Sequence, residues 1–236
     1  MSNWKPKRFW KAATTAPDEG GFAVLLDGRK VKTPAKQPLI LPSQALAALI
    51  AAEWDAQQGL VDPETMPATR MANSAIDKVI PQYEEVAGLI AAYGGTDHLC
   101  YRAVRPQGLI DRQIAAWNPL LDWAAKDLGA PLKTTSGVIH ITQDADALQR
   151  LHQHVLDLGN FRLAALHDLV ALSGSLILAF AVARGRLTPD EAWNLSRIDE
   201  AWQIEEWGED EDAAAIAALK RDSFLQAAQF FALCQQ

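Results

Sequence analysis

The hydrophobic pattern changes period once along the chain. FAVLL (Phe22–Leu26) and RKVKT (Arg29–Thr33) flank Asp27-Gly28, the dipeptide of a two-residue hairpin turn in which both central residues take positive φ. PLIL (Pro38–Leu41) is a third candidate strand, and RFWKAATTA before the PDEGG turn is a fourth. After Pro42 the apolar positions recur at helical spacing. Ser43 is the expected N-cap of SQALAALIAAEWDAQQ, and Gly59 its stop. Shorter helical runs follow over residues 68–80 and 82–93, with Pro81 at the joint. Residues 109–128 predict a helix that Asn118-Pro119 should kink or divide, because proline lacks the donor and disfavours helix in the residue before it. GVIHIT (Gly137–Thr142) reads as a short strand interrupting this half. Residues 144–158 and 161–183 predict two more helices. The second contains LVALSGSLILAFAVA, fifteen apolar and small residues, too short for a bilayer span of roughly 20 residues and so read as a buried core helix. Thr188-Pro189-Asp190-Glu191 forms a capping box with proline at the first helical position. The last helix is expected to begin within Glu209–Asp212, where carboxylates suit the positive end of the helix dipole.

These elements predict an α+β fold, with a small β-rich N-terminal domain and one helix over residues 1–62, then a larger all-helical domain over residues 63–236. The content of hydrophobic (49%) and charged (22%) residues is that of an ordinary globular protein able to bury a core. Cys100 and Cys234 are too few for a disulfide scaffold, which points to a reducing, cytosolic-type compartment. The basic start, MSNWKPKRFWK, lacks the apolar core of a secretory signal, so no export is expected.

Charge is distributed unevenly. The net charge is −7, yet DEAWQIEEWGEDED (Asp199–Asp212) alone holds eight carboxylates and two tryptophans with no lysine or arginine, leaving the other 222 residues at +1. The first forty residues carry eight basic side chains against three acidic ones, too scattered for a nucleic-acid stripe. A solvated acidic run needs no tryptophan, and a buried tryptophan helix rarely tolerates so many carboxylates, because an unpaired buried charge is costly. That combination marks Asp199–Asp212 as the place where something binds.

Catalytic chemistry is sparse. His152 and His154 would point about 200° apart on a helix and cannot share a metal from it, and they read as surface histidines. His98, His140 and His167 stand alone. Gly94-Gly95 lacks the lysine and hydroxyl of a phosphate loop. Ser173-Gly174-Ser175 lacks nucleophile-elbow spacing and reads as small residues for close helix packing. No cofactor or metal is expected.

If residues 188–207 form one helix, the 100° step places Trp193, Arg197, Glu200, Gln203, Ile204 and Trp207 on one side, and Trp202 with Leu195, Ile198 and Glu206 on the other. Three tryptophans then cannot share one core, and tryptophan is a preferred interface anchor. The alternative is a central helix packed on both sides, with Glu200 paired to Arg197. The candidate partner-binding set is Glu200, Trp202, Gln203, Glu206, Trp207 and Asp210.

The chain resembles the assembly chaperones of the rotary ATP synthase found in mitochondria and related bacteria. The matching strings are RFWKAA (Arg8–Ala13), LDGRKVKTPAKQPLILPS (Leu26–Ser43), AAEWDAQQGLVDPETMPATRMANSAID (Ala51–Asp77), TDHLCYRA (Thr96–Ala103), WNPLLDW (Trp117–Trp123) and SRIDEAWQIEEWGEDED (Ser196–Asp212), which span nearly the whole chain in order. The resemblance implies an α+β domain joined to a helical domain, and no enzymatic activity. It also implies a client: the free α subunit of the catalytic sector, whose interface the chaperone covers until β subunits replace it. Glu200 and Trp54 match positions where the family is sensitive to change, Glu200 as a partner contact and Trp54 as a core residue. The free chaperone is expected to be a monomer without nucleic-acid partner or membrane insertion. Its compartment is the bacterial cytoplasm, or the mitochondrial matrix if a presequence has been removed. The competing readings are an enzyme using Glu200, Glu205 and Asp210 in a cleft, and a holdase without client preference.

Overall fold

The computed structural model describes residues 7–234, so the first six residues of the basic start lie outside the described range. Two compact units are present: residues 7–83 with 160–165 and 229–234, and residues 84–159 with 166–228.

The first unit is built on a small antiparallel sheet. Strand β1 (Ala13–Asp18) pairs along its length with β2 (Gly21–Leu26), in the register Ala13 to Leu26 and Asp18 to Gly21. The other edge of β2 takes β3 (Arg29–Lys30) at one end and β4 (Ile40–Leu41) at the other. The Asp27-Gly28 turn has φ values of 47° and 81°, as the hairpin requires. Helix α1 (Gln44–Ala56) packs on β1 and β2, burying Leu46, Ala47, Ile50 and Ala51, a stripe at i, i+1, i+4 and i+5. Ser43 caps it, accepting the Leu46 N–H at 3.1 Å.

Polar side chains staple this unit together. The Arg8 guanidinium donates to the carbonyls of Gln57 (2.7 Å) and Lys11 (3.0 Å) and to the Asp55 carboxylate (3.0 Å), closing the C-terminus of α1. The Glu53 carboxylate accepts the Ala68 and Thr69 N–H groups at 2.7 and 2.8 Å, satisfying amides without intrahelical partners at the start of α2 (Pro67–Ser74). Asp77 accepts from the Thr33 hydroxyl at 2.6 Å and the Ala35 N–H at 3.1 Å. Trp10 is buried and meets the half-buried Trp54 edge-on at 5.2 Å, so Trp54 sits at the margin of the core.

The second unit is helical. It contains most of α3 (Tyr83–Ala91), then α4 (Gln107–Asp127), α5 (Ala145–Leu156), most of α6 (Asn160–Ser173), α7 (Leu176–Ala183), α8 (Pro189–Ser196), α9 (Ile198–Trp207) and most of α10 (Glu211–Leu233). Its one sheet is the two-residue parallel pair β5 (Tyr101–Arg102) and β6 (Thr135–Ser136). Among the described residues, no helix is long and apolar enough to cross a membrane.

Three local expectations are corrected and a fourth, at Pro119, is narrowed. Residues 137–142 form no strand: the ladder ends at Ser136, and Gly137 turns the chain away at φ 80°. Pro119 lies inside α4 without dividing it. Buried side chains on both sides of the proline, Trp117, Leu120, Leu121 and Ala124, hold the helix through the lost hydrogen bond.

The predicted helix over 161–183 is two. Gly174 ends α6 in the left-handed conformation (φ 71°), and Ser175 starts α7. The Ser173-Gly174-Ser175 run is therefore a helix break rather than a packing seam. A buried carboxylate holds the break: Asp97 accepts the Ser175 hydroxyl at 2.8 Å and the N–H groups of Ile177 and Leu99, each at 3.0 Å. The predicted helix over 188–207 is likewise two, parted at Arg197 (φ −114°, ψ 19°). The Trp117 indole donates to the Leu195 carbonyl at 2.9 Å and the Gln113 amide donates to Asp199 at 2.5 Å, so α4 holds both sides of that break.

Candidate partner-binding site

The break at Arg197 changes the geometry of the acidic tryptophan segment. Helix α8 begins with the predicted capping box, in which the Glu191 N–H donates to the Thr188 hydroxyl at 3.2 Å and the Thr188 N–H donates to Glu191 at 2.8 Å. The Thr188 N–H and hydroxyl, both donated to the Glu191 carboxylate at 2.8 Å, hold it below its ordinary range. Trp193, at the heart of α8, is buried against Phe224 of α10 with ring centroids 5.7 Å apart.

Helix α9 starts afresh and is clamped on one side by α4. Trp202 lies against the backbone at Gly108, where an added Cβ would stand 2.8 Å from the ring, and the Arg112 guanidinium stacks over the indole at 4.9 Å. The same guanidinium makes a bidentate pair with Glu205 at 2.7 and 2.8 Å. Its hydrogen bonds depress the Glu205 carboxyl and raise the Arg112 guanidinium. Arg–carboxylate forks of this kind fix orientation as well as charge.

The other side of α9 is open. From Gln203 to Ala213 every residue is exposed, and the exposure continues along α10 to Ser223 with only Ala214 and Ala217 partly covered. This span holds four large apolar side chains in the open: Ile204 and Trp207 on α9, Ile216 and Leu219 on α10. Each pair has i, i+3 spacing and so shares a helix face. Trp207 is 80% exposed. Glu206, Glu209, Asp210, Glu211 and Asp212 surround these residues in sequence. Asp210 also accepts the Ala213 N–H at 2.8 Å, capping α10.

Glu200 sits between the clamped and open sides. One carboxylate oxygen meets Arg197 at 2.7 Å, and the Arg197 guanidinium lies 5.7 Å over the Trp193 ring. The other oxygen, Oε2, is shielded from water and has no hydrogen-bond partner among the described residues. A covered acceptor without a donor is unfavourable by about 1–3 kcal/mol.

The six candidate residues thus fall into two groups. Gln203, Glu206, Trp207 and Asp210 are exposed, and Glu200 is half-buried with one free oxygen. Trp202 is the half-buried anchor on α4. The sequence pattern missed Ile216 and Leu219, because apolar residues at i, i+3 in an alanine-rich helix read equally as a core face.

The carboxylates of the enzyme reading do not converge on a cleft. Glu200 and Glu205 are each tied to their own arginine, and Asp210 caps a helix. A cavity of about 380 Å³ is lined by residues such as Gly88, Ala91, Leu148 and His152, none of them from α9 or α10. Among the described residues, no group of three or more His, Cys, Asp or Glu side chains could hold a metal ion.

Comparison with known proteins adds a family. The family model of the ATP12 chaperone protein matches residues 7–125. "Protein atp12, mitochondrial" of Schizosaccharomyces pombe is 28% identical over 224 residues, covering 89% of this chain and 76% of that protein. The crystal structure of Atp12 from Paracoccus denitrificans is 51% identical and superposes with a TM-score of 0.94 over 97% of this chain and 98% of that one. An aspartate-to-lysine mutant of P. denitrificans Atp12p, also 51% identical, superposes with a TM-score of 0.95 over 99% of this chain and all of that one. With half the chain matched by the family model and nearly all of it by these structures, the protein belongs to the ATP12 chaperone family.

Proposed function

We propose that this member of a family of ATP synthase assembly chaperones holds the free α subunit of the catalytic sector and shields its subunit interface until a β subunit takes its place. The client surface is the open side of α9 with the first turns of α10: Ile204, Trp207, Ile216 and Leu219 as apolar anchors, with Glu200, Gln203, Glu206 and Asp210 beside them. Trp202 acts by positioning α9 on α4. The observation that carries the reading is Trp207, 80% exposed in a span with no buried residue. Covering a tryptophan removes on the order of 200 Å² of surface. At about 25 cal/mol per Å² that yields roughly 5 kcal/mol before ordering costs, the scale of an interface hot spot. An exposed subunit interface is apolar enough to aggregate, and reversible cover of that interface raises the yield of assembled hexamer.

Co-expression with ATP synthase α and β subunits tests the proposal. Soluble α subunit and an isolable complex with this chain are expected, with β subunit displacing the chaperone. If α gains no solubility and forms no complex, the function is wrong. Equal protection of unrelated aggregating proteins would indicate a holdase without client preference.

A further inference from the structure

A second exposed apolar feature lies in the helical unit and is absorbed neither by the fold nor by the α9 surface. After β6 the chain runs through Gly137–Thr142, a loop with Val138 and Ile139 at its tip, 95% and 78% exposed. Val104, also exposed, lies against Gly137. The ends of the loop are held firmly. The Gly137 N–H donates to the Arg102 carbonyl at 2.8 Å, continuing the β5–β6 ladder by one bond. At the base the Gln143 side chain imitates a strand: it accepts the Lys133 N–H at 2.8 Å and donates to the Lys133 carbonyl at 2.9 Å. Between these fixed points, among the described residues, no backbone group from Val138 to Ile141 pairs with another backbone group. Val-Ile-His-Ile is nonetheless a sequence suited to a strand. It follows the β5–β6 ladder just after the turn at Gly137, and its backbone groups have no backbone neighbour among the described residues.

The electrostatics of this corner oppose those of the acidic Asp199–Asp212 segment. Residues 98–110 and 128–143 contain no aspartate or glutamate in a protein of net charge −7, while Arg105, Lys133 and His140 within them are exposed. We infer that Val138–Ile141 is a strand-addition site: it takes an extended segment of the client protein that has apolar side chains on one face and carboxylates placed to meet Arg105 and Lys133. Main-chain hydrogen bonds would supply affinity and the Val104, Val138 and Ile139 side chains specificity, the usual division in strand addition. The inference rests on the chaperone reading above and adds a contact of opposite charge to the acidic α9 surface, so that the client is gripped through two chemically distinct patches.

The test uses the full chain and the purified α subunit. The double variant V138D/I139D should melt with the wild type and bind α at least tenfold more weakly, and R105E/K133E should also weaken binding. Hydrogen exchange should show the Val138–Ile141 amides unprotected in the free chain and protected in the complex. V138S/I139S replaces the first variant if the aspartates disturb folding, with the same expected loss. Unchanged α affinity together with unprotected amides overturns the inference and leaves the proposed function standing. Failure of the wild type to bind α overturns both. The inference also falls if V138D/I139D keeps α binding and loses instead either binding to phosphatidylserine vesicles or self-association in sedimentation equilibrium, since the site would then serve a membrane or a second copy.

Discussion

Glu200→Lys separates partner contact from structural ion pair. The substitution removes an i, i+3 pair whose partners are 30% and 40% exposed, worth about 0.3–0.5 kcal/mol. The new lysine faces Arg197 at the same spacing, at a similar cost. It also sits in the first turn of α9, where a cation opposes the helix dipole by about 0.3–1 kcal/mol. Together these give a loss of roughly 1.5 kcal/mol, a fall in Tm of about 3–6 °C for a chain of this size, so the variant folds. Binding should suffer more. If the α subunit contacts the Glu200 carboxylate, reversing the charge removes a charge-assisted contact and introduces repulsion, for a loss of about 2–5 kcal/mol, a factor of thirty or more. Circular-dichroism melting and titration calorimetry with α measure the two effects separately. The double variant R197E/E200K decides the interpretation, because it restores the internal ion pair with its polarity reversed. Melting should recover in part and binding should not. Recovery of both would show that only the ion pair matters, and collapse of E200K at room temperature would refute the energetic reasoning.

Other outcomes follow from the geometry. Trp207→Ala should leave Tm unchanged and weaken α binding at least tenfold, whereas Trp202→Ala should lower the urea midpoint by the equivalent of about 2 kcal/mol, the cost of emptying a half-covered tryptophan site. Asp97→Ala strands the Ile177 and Leu99 N–H groups and the Ser175 hydroxyl in the interior, for a loss of about 3 kcal/mol or more in chemical denaturation. Burial pushes the Asp97 carboxyl above 3.8, so the folded protein keeps this proton to higher pH than the unfolded chain does. The group's contribution to stability is therefore greatest below pH 3.8 and declines as pH rises towards the raised folded value. Asp97→Asn should abolish that decline in urea midpoints taken across the acid range. Glu205 has the opposite sign: with its carboxyl held below 4.5 by Arg112, its contribution is present above that pH and is lost as pH falls through the lowered value. Glu205→Gln should flatten this part of the acid limb.

The legible parts of this fold are those whose stabilising partners lie close in sequence. The Asp27-Gly28 hairpin, the Ser43 cap and the Thr188–Glu191 capping box each close within a few residues, and each stands where the pattern placed it. The two missed helix breaks share a different physics. Either break leaves amides and carbonyls without intrahelical partners, and periodicity alone favours continuing the helix. Long-range partners supply what the break removes: Asp97 reaches Ser175 and Ile177, Trp117 reaches Leu195, and Gln113 reaches Asp199. Asp97, Trp117 and Asp199 fall within strings by which the chain resembles its family, yet nothing in their spacing reveals whom they meet.

The same difference explains the site. The eight carboxylates were visible as composition, but their roles diverge in the fold. Glu205 is spent on Arg112, Asp199 on Gln113, and Asp210 on the start of α10. The negative charge that looked like one patch is partly internal chemistry, and what remains outward is four apolar side chains, Ile204, Trp207, Ile216 and Leu219, among exposed carboxylates such as Glu206, Glu209, Glu211 and Asp212. A surface of this kind is held to a client by buried area and kept from indiscriminate association by its acidic surroundings, since acidic neighbours repel other acidic surfaces. Salt separates the two contributions. If the apolar anchors supply the affinity, raising ionic strength from 0.05 to 0.5 M should slow association with α while changing the dissociation rate little. A dissociation rate that climbs steeply with salt would assign the affinity to the carboxylates instead.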